Sequence, residues 1–319
     1  MARIGYFLSS EEFGPVELVR QAKLAETAGF EAPLAISDHY HPWNDEQGQS
    51  GFVWATIGAL SQVTRLPVST MVTCPTVRTH PAVIAQAAAT SAVLTGGRFV
   101  LGVGSGEALN EHILGDTWPP AEVRQDMLAE AVEVMRMLWQ GGLVTHRGRH
   151  YRMDTARLYT LPDRPVPVYV SAFGPKAAAL AGRIGDGLVS TMPDAELLET
   201  FRRAGGAGKP TQGALKVCWA PDEASGRKTA HRIWPNEQLP GQLAQELPLP
   251  SHFEHASTLV TEEMIGEAIA CGPDVDRHLT AVRPYLDAGY DEVYIAQIGP
   301  RQDEFFGFYA EHVLPRLRH

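Results

Sequence analysis

Eight short apolar runs, each followed by a longer stretch of helical sequence, are the feature that most restricts how this chain can fold. The runs lie at residues 3–9, 34–39, 67–73, 98–105, 167–173, 187–191, 214–220 and 291–299. Short strands that are apolar on both faces and separated by helices form parallel sheets. Eight such units in 319 residues predict a (β/α)8 barrel, and a doubly wound open sheet is the alternative.

Prolines and glycines set the predicted helix ends. Residues 15–28 are predicted to be helical, because Pro15 suits a first helical turn and Gly29 suits a stop. Further helices are predicted at 52–64, 80–94, 120–140, 175–184, 194–203, 273–288 and 302–317, and a β-hairpin at 145–152. The proline-rich segment 221–272 interrupts the alternation. We predict it to be a helical insertion after strand seven, in a chain whose residues 1–319 form one barrel domain.

Charge and cysteine content exclude several classes of protein. The net charge of −10 argues against non-specific nucleic-acid binding, which needs a basic surface. No stretch reaches the roughly 18 apolar residues of a membrane span, and the beginning MARIGYFLSS is too short in apolar length for a signal peptide. Cys74, Cys218 and Cys271 lack the spacing of a disulfide framework or a zinc site. We expect buried thiols, a cytoplasmic location and a small-molecule partner, without nucleic acid or membrane.

The active site of a barrel enzyme lies at the C-terminal ends of the strands, so the residues that end each run are the first candidates. The ends of runs two to six hold Ser37-Asp38-His39, Met71-Val72-Thr73-Cys74, Gly104-Ser105-Gly106-Glu107 with Asn110 a turn later, Ser171-Ala172-Phe173-Gly174 and Ser190-Thr191. These residues are small or can transfer protons. They suit a flat heteroaromatic ligand that lies across the strand ends.

The stretch ISDHYHPW at residues 36–43 admits a metal-site interpretation, because His39 and His41 form an HxH pair beside Asp38. Metal-dependent hydrolase barrels add ligands from strands five and six, but residues 169–174 and 188–192 contain no His, Cys, Asp or Glu. Too few ligands remain, and we predict no metal site.

His39, Glu107 and Trp43 form the candidate catalytic set. A histidine can accept a proton near neutral pH while a hydride leaves the same carbon. A buried glutamate has a raised pKa and can hold or donate a proton, and a tryptophan can wall a pocket or stack on a ring. Each residue also has a structural interpretation: His39 as an ordinary strand-end residue, Glu107 as a helix cap, and Trp43 as core.

The glycines of GVGSG, residues 102–106, do not match the G-x-G-x-x-G pattern of a dinucleotide-binding turn, because the third glycine comes one residue early. Two interpretations remain: a strand end where a ligand approaches the backbone closely, or a tight turn from strand to helix. No GxSxG nucleophile elbow occurs, which weakens a serine-hydrolase interpretation.

Four segments together resemble the luciferase-like superfamily of barrel oxidoreductases, and most closely its branch of F420-dependent glucose-6-phosphate dehydrogenases. They are SDHYHPW, TCPTVRTHPAVIAQAAAT, LGVGSGEALNE and PVYVSAFGPKAAALAGRIGDG. The resemblance covers nearly the whole chain and is weakest over residues 192–270. It implies a deazaflavin, coenzyme F420, bound at the strand ends, with FMN as the alternative cofactor, and a homodimer.

The resemblance also implies roles for individual residues. His39 would remove the proton of a substrate hydroxyl as hydride passes to the deazaflavin, Glu107 would protonate or hydrogen-bond the ring, and Trp43 would support the reacting intermediate. Together with the strand ends, it indicates these candidate cofactor-binding residues: Asp38, Met71, Val72, Thr73, Gly106, Asn110, Ser171, Ala172, Phe173 and Thr191. It further implies a cis peptide bond between Met71 and Val72.

The chain departs from the sugar-phosphate dehydrogenases at the phosphate site. Those enzymes hold the phosphate with two lysines and an arginine, and Asp194, Ala244 and Glu267 stand at or near the matching positions. A carboxylate repels a phosphate dianion, and Lys209 and Lys216 are the remaining candidates for an anion site. We expect a neutral alcohol as substrate. The alternatives are an FMN-dependent oxidoreductase or monooxygenase and a non-catalytic flavin-binding relative.

Overall fold

The computed structural model describes residues 2–318 and shows a closed barrel of parallel strands surrounded by helices. The strands in chain order are β1 (Arg3–Leu8), β2 (Leu34–Ile36), β3 (Val68–Thr70), β4 (Phe99–Val103), β5 (Val144–Arg147), β6 (Arg152–Ala156), β7 (Val168–Ser171), β8 (Gly187–Ser190), β9 (Thr211–Cys218), β10 (Ala270–Cys271) and β11 (Glu292–Gln297). Around the barrel the order is β11, β1, β2, β3, β4, β7, β8 and β9. Because β9 pairs with both β8 and β11, the sheet closes. The predicted (β/α)8 barrel is confirmed, and the open sheet is excluded.

Helices follow the barrel strands as the sequence pattern predicts. The α-helices are α1 (Pro15–Ala28), α2 (Val53–Leu60), α3 (Pro81–Leu94), α4 (Ala108–Glu111), α5 (Ala121–Trp139), α6 (Pro175–Ile184), α7 (Ala195–Phe201), α8 (Glu223–Ile233), α9 (Leu243–Glu246), α10 (Pro250–Ser257), α11 (Glu262–Ala268), α12 (Val275–Ala288), α13 (Gln302–Phe308) and α14 (Leu314–Leu317). Tighter or wider helical turns lie at His112–Leu114, Arg202–Gly206, Pro235–Gln238 and Tyr309–Val313. Within residues 2–318, no helix is long and apolar enough to cross a membrane.

The accuracy of the predicted helix ends depends on local signals. Helix α1 has the predicted bounds, because Pro15 occupies its first turn and Gly29 ends it with a φ of 91°, a left-handed conformation that favours glycine. The predicted helix 302–317 is interrupted instead, by a wider turn between α13 and α14. Pro315 lies in this region and has no backbone N–H to donate, so a regular helix cannot continue through it.

Strand β2 ends at Ile36, three residues earlier than predicted. Beyond it, side chains take over from the strand ladder. The Ser10 backbone N–H donates to the Ser37 hydroxyl at 2.9 Å, and the Ser10 hydroxyl donates to the Ser37 carbonyl at 2.8 Å. The chain therefore leaves the barrel wall before it reaches His39.

A buried hydrogen-bonded network fills the N-terminal half of the barrel interior. The Tyr294 hydroxyl donates to the Glu292 carboxylate at 2.6 Å, and the Gln212 amide donates to both groups, at 2.8 and 2.9 Å. Ser69 of β3 donates to the Gln212 amide oxygen at 3.3 Å. Packed side chains thus occupy this end of the barrel, and the candidate site residues lie at the other end.

The insertion predicted at 221–272 consists of helices α8 to α11, with the short strand β10 beside β9. It forms a small apolar core with the ends of β9 and β11. The buried members of this insertion core are Cys218, Ala230, Ile233, Trp234, Val260, Ile265, Ile269, Cys271 and Ile298, and Trp43 packs against them. The three cysteines are buried free thiols, as predicted.

Candidate active site

His39 lies between two carboxylates at the C-terminal end of the barrel. Its Nε2 is 3.5 Å from Oε1 of Glu11 and 3.4 Å from Oε2 of Glu107. The side chain of Glu11 is 3% exposed, whereas that of Glu107 is 32% exposed. The imidazole therefore faces a deeply buried carboxylate and a second one that reaches solvent, which is a suitable geometry for receiving a proton and passing it on.

The tautomer of His39 follows from the contact made by its other ring nitrogen. Nδ1 lies 3.2 Å from the carbonyl oxygen of His41 and must carry a hydrogen, because a carbonyl only accepts. In the neutral ring, the lone pair of Nε2 then faces Glu11 and Glu107. Nε2 is the atom of His39 that can exchange a proton with a substrate.

Glu107 stands immediately before helix α4 but does not cap it with its side chain. The alternative interpretation of Glu107 as a helix cap is therefore wrong. Its Oε2 accepts a hydrogen bond from the Asn110 amide at 3.1 Å. Burial raises the pKa of the Glu107 carboxyl above its ordinary value, and the nearby His39 opposes part of this rise. A carboxyl whose pKa is raised in this way holds a proton more readily than an exposed glutamate does.

Asn110, predicted to bind a cofactor, joins the loop after β2 to Glu107. Its amide oxygen accepts from the backbone N–H groups of Tyr40 at 2.8 Å and His41 at 3.1 Å, and its amide nitrogen donates to Glu107. The side chain is buried. Asn110 therefore fixes the positions of the loops that carry His39 and Glu107 relative to each other.

Trp43 packs between His39 and the insertion. Its ring centroid lies 5.0 Å from that of His39, with the planes inclined at 55°. On its other side, Phe253 of helix α10 meets it edge-to-face at 5.1 Å. The structure thus combines the two interpretations of Trp43, since it belongs to the insertion core and also walls the side of the candidate catalytic histidine.

Residues 43–47 are hydrogen-bonded directly to the insertion. The Trp43 backbone N–H donates to the Gln47 side chain at 2.9 Å. The side-chain amides of Gln47 and Asn44 both donate to the carbonyl of Ile233, at 3.0 and 3.1 Å. The position of Trp43 therefore depends on the end of helix α8.

Asp38 and Thr73, both predicted to bind a cofactor, form a buried brace between the ends of β2 and β3. The Thr73 hydroxyl donates to Asp38 at 2.8 Å, and the Arg78 guanidinium donates to the other Asp38 oxygen at 3.2 Å. The Arg78 backbone N–H donates to Glu111 at 2.6 Å. Burial raises the pKa of the Glu111 carboxyl. Both side chains of the brace are therefore already engaged by protein groups.

The end of β3 carries a cis peptide bond between Met71 and Val72, as the resemblance implies. Strand β4 approaches this point so closely that a Cβ at Gly102 would lie 2.0 Å from the carbonyl oxygen of Thr70. Gly106 has a φ of 87°, a conformation that favours glycine. The glycines of GVGSG are thus explained by strand contact and a tight turn.

The remaining predicted cofactor-binding residues lie at the ends of β7 and β8. Phe173 is 53% exposed. Thr191 is exposed, Ser171 is half-buried and Ala172 is buried. Val72, at the end of β3, is also half-buried. The exposed and half-buried members of this set offer small and apolar surface at the mouth of the barrel.

The two histidines of the HxH pair face different partners. His39 faces carboxylates, whereas Nδ1 of His41 lies 2.9 Å from the carbonyl oxygen of Leu109. Across residues 2–318, no group of three or more His, Cys, Asp or Glu side chains is placed to hold a metal ion.

Glu12 joins the barrel to the insertion. Its carboxylate accepts from the indole N–H of Trp234 at 2.8 Å and from the backbone N–H of Gly299 at 2.5 Å. Burial raises the pKa of Glu12 to about 7. The ends of β1 and β11 are therefore linked to the insertion core through one carboxyl group.

We expect the contribution of Glu12 to folding stability to depend on pH. Its pKa is about 7 in the folded protein and near the ordinary 4.5 when unfolded, so the folded state binds the proton more tightly. The contribution is fully present below pH of about 4.5 and is lost as the pH rises through about 7. The loss is about 3 kcal/mol at most, reduced by solvent screening of the partly exposed group.

Thermal unfolding of the wild type and Glu12→Gln at pH of about 5 and about 8 measures this effect. The wild type should lose more in Tm than Glu12→Gln between the two pH values, because glutamine cannot ionise. Glu262→Gln, at an exposed position, should follow the wild type. Equal losses in the wild type and Glu12→Gln would contradict the expectation.

Sequence reasoning missed Glu11, Arg78 and Glu111. The Glu11 Oε2 accepts from the Ser9 hydroxyl at 2.9 Å and the Ser37 hydroxyl at 2.7 Å, so residues after two different strands bury it. The available signal was its place directly after the first predicted strand. An acidic pair in such a place ordinarily indicates a solvated turn, and only the folded barrel shows otherwise.

Comparisons with known proteins identify the family of the chain. The profile of the luciferase-like monooxygenase family matches residues 1–292. The F420-dependent glucose-6-phosphate dehydrogenase of Microbacterium testaceum is 36% identical over 329 residues, which cover 99% of this chain and 97% of the relative. The enzyme of the same name from Amycolatopsis mediterranei is 34% identical over 331 residues, with 100% and 99% covered.

A solved structure also matches over the full length of both chains. It is an F420-dependent secondary alcohol dehydrogenase in complex with an F420–acetone adduct, and it superposes with a TM-score of 0.91 at 33% sequence identity. Family profile, full-length relatives and fold thus agree, and the chain belongs to the luciferase-like monooxygenase family.

Proposed function

We propose that this protein is an oxidoreductase that uses coenzyme F420 and transfers a hydride between the carbinol carbon of a neutral alcohol and C5 of the deazaflavin. The observation that carries the proposal is His39, held between Glu11 and Glu107 at the C-terminal end of the barrel. The full-length similarity to F420-dependent dehydrogenases, including one that acts on secondary alcohols, supports the cofactor and the reaction class.

The residues at the strand ends fit a flat ring. Val72, Ser171 and Thr191 offer partly exposed small or apolar groups, and Phe173 exposes an aromatic face. At Gly174, where helix α6 begins, an added Cβ would meet no atom within 4 Å, so the mouth has room beside Phe173. We propose that these residues hold the ring, while buried side chains behind them fix the loops.

The residues of the chain can carry out the proton transfer that hydride transfer requires. Bound coenzyme F420 supplies a carbon that accepts hydride. As the carbinol hydrogen leaves as hydride, the hydroxyl proton passes to Nε2 of His39 and the C–O bond becomes a carbonyl. The imidazolium then lies between Glu11 and Glu107, whose negative charge stabilises it. Trp43 covers one side of the imidazole ring of His39. Glu107 reaches solvent and can pass the proton on to water.

The charged side chains considered for an anion site favour a neutral substrate instead. Asp194 accepts from two backbone N–H groups at the start of helix α7, at 2.8 and 3.1 Å, and so acts as its cap. Lys209 donates to two backbone carbonyls, each at 2.8 Å. Lys216 is paired with Glu237 at 2.7 Å. Each of these side chains already has a protein partner, so we propose that the substrate is not a sugar phosphate.

Side-by-side titration of the purified protein with F420 and FMN, followed by quenching of cofactor fluorescence, tests the proposal. We expect F420 to bind at least about tenfold more tightly than FMN, which corresponds to about 1.4 kcal/mol. Neutral secondary alcohols should then bleach the F420 absorbance. Tighter binding of FMN would assign the other cofactor. Binding of F420 without turnover across a broad alcohol panel would indicate a non-catalytic relative.

We also propose that the protein is a cytoplasmic, single-domain homodimer. Helices α2 and α3 contain no charged residue. Their outer faces carry Val83 at 55%, Val93 at 45% and Leu94 at 45% exposed, and Phe52, just before α2, is 69% exposed. A second copy of the chain would cover this surface, and sedimentation equilibrium measures the resulting mass. The buried free thiols fit a reducing compartment.

A further inference from the structure

Lys216 and Glu237 form an ion pair at the barrel mouth that the proposed mechanism does not use. Lys216 lies in the C-terminal half of β9, on the same face as Gln212, whose amide donates to Tyr294 inside the barrel. The Lys216 ammonium donates to Glu237 at 2.7 Å and lies 4.1 Å from the ring centroid of Trp234. The pair therefore faces the barrel interior at the end where a substrate enters, and its position is fixed by the insertion.

This ion pair has unused hydrogen-bonding capacity. An ammonium has three donors, of which one is directed at Glu237 and another side of the group faces the Trp234 ring. The second carboxylate oxygen of Glu237 accepts no hydrogen bond from the part of the chain that the structure describes. The Lys216 and Glu237 side chains are 20% and 33% exposed, so a ligand can reach both. A donor beside an acceptor matches a single hydroxyl group, which both donates and accepts.

The charges around the pair select against anions. The positive charge of Lys216 is matched by Glu237. A negatively charged group here would therefore meet no unbalanced positive charge and would be repelled by Glu237, whereas a neutral hydroxyl would not be repelled.

We propose, as an extension of the proposed function, that the substrates are neutral alcohols with a second hydroxyl away from the reacting carbon, and that Lys216 and Glu237 bind that second hydroxyl. It donates to Glu237 and accepts from Lys216, while the reacting hydroxyl lies at His39. An alcohol without it displaces water from the pair and leaves the remaining donors of Lys216 and the second carboxylate oxygen of Glu237 without partners. A site built to bind a hydroxyl discriminates strongly for this reason.

The test compares three substrates of equal chain length with F420-loaded protein: a secondary pentanol, the same pentanol with a second hydroxyl at its far end, and the matching hydroxypentanoate. We expect kcat/KM for the diol to exceed that for the pentanol at least about tenfold, since hydrogen bonds to charged groups are of this size, and the hydroxypentanoate to be poorest. In Lys216→Met and Glu237→Gln, the diol-to-pentanol ratio should fall towards one. Lys23→Met, at an exposed position of helix α1, should keep the wild-type ratio.

The outcomes separate this inference from the proposed function. Equal kcat/KM for the diol and the pentanol in the wild type, or an unchanged ratio in both variants, overturns the inference and leaves the F420 dehydrogenase intact. Failure of every alcohol to reduce F420 overturns both. If Lys216→Met does not fold, Glu237→Gln alone tests the acceptor side of the pair. A second measurement needs no turnover: the diol, but not the pentanol, should raise the Tm of the wild type.

Discussion

His39→Ala is expected to lower the rate of F420 reduction by an alcohol between about 10²- and 10⁴-fold, which is the usual contribution of a general base. The affinity for F420 should stay within about tenfold. The reason is geometric: Nε2 is the free proton acceptor of the ring, and Nδ1 is committed to the His41 carbonyl. Single-turnover measurement of F420 absorbance separates the rate of chemistry from cofactor binding.

A matched change away from the site is His255→Ala, on an exposed face of helix α10. It should leave both the rate and the affinity unchanged. If His39→Ala instead abolished F420 binding and spared the rate at saturating cofactor, His39 would be a binding residue, and the proton would have to pass to another group.

Glu107→Gln is expected to slow turnover at least about tenfold and to change its pH profile. Glutamine keeps the size of the side chain and an acceptor for Asn110, but it can neither ionise nor stabilise an imidazolium at His39. Burial raises the pKa of Glu107, so its titration contributes a limb to the wild-type profile at a pH above the ordinary glutamate range. That limb should be missing in the variant.

The pH dependence of kcat for wild type and variant decides this point. Glu199→Gln, on an exposed face of helix α7, serves as the control and should keep the wild-type profile. A Glu107→Gln profile that superposes on the wild type would remove Glu107 from the proton pathway, even if its turnover were slower.

The barrel could be predicted from the sequence because each of its units is specified by local signals. Helix α1 is the clearest case, since Pro15 and Gly29 mark its ends independently of the rest of the fold. The end of β2 could not be predicted in the same way. The apolar pattern runs on, and the strand stops because Ser10, from the loop after β1, bonds to Ser37.

Part of the candidate site could be predicted from one rule, namely that the C-terminal ends of the parallel strands meet at one end of a barrel. That rule brings His39 and Glu107 together, and the structure places them 3.4 Å apart. Glu11 escaped prediction because its burial requires serines contributed after two separate strands. The roles of Asp38 and Asn110 in bracing the loops depend likewise on partners distant in the sequence.

The carbonyl of Ile233 links two distant stretches of the chain, residues 43–47 and the insertion, which together form the wall beside His39. The side-chain amides of Asn44 and Gln47 both donate hydrogen bonds to this carbonyl, and Trp43 packs against the same insertion. Replacing the insertion of this barrel with that of a relative would therefore succeed only if residues 43–47 were replaced at the same time. Within the family, residues at these two stretches should vary together, so that a substitution in one is accompanied by a compensating substitution in the other.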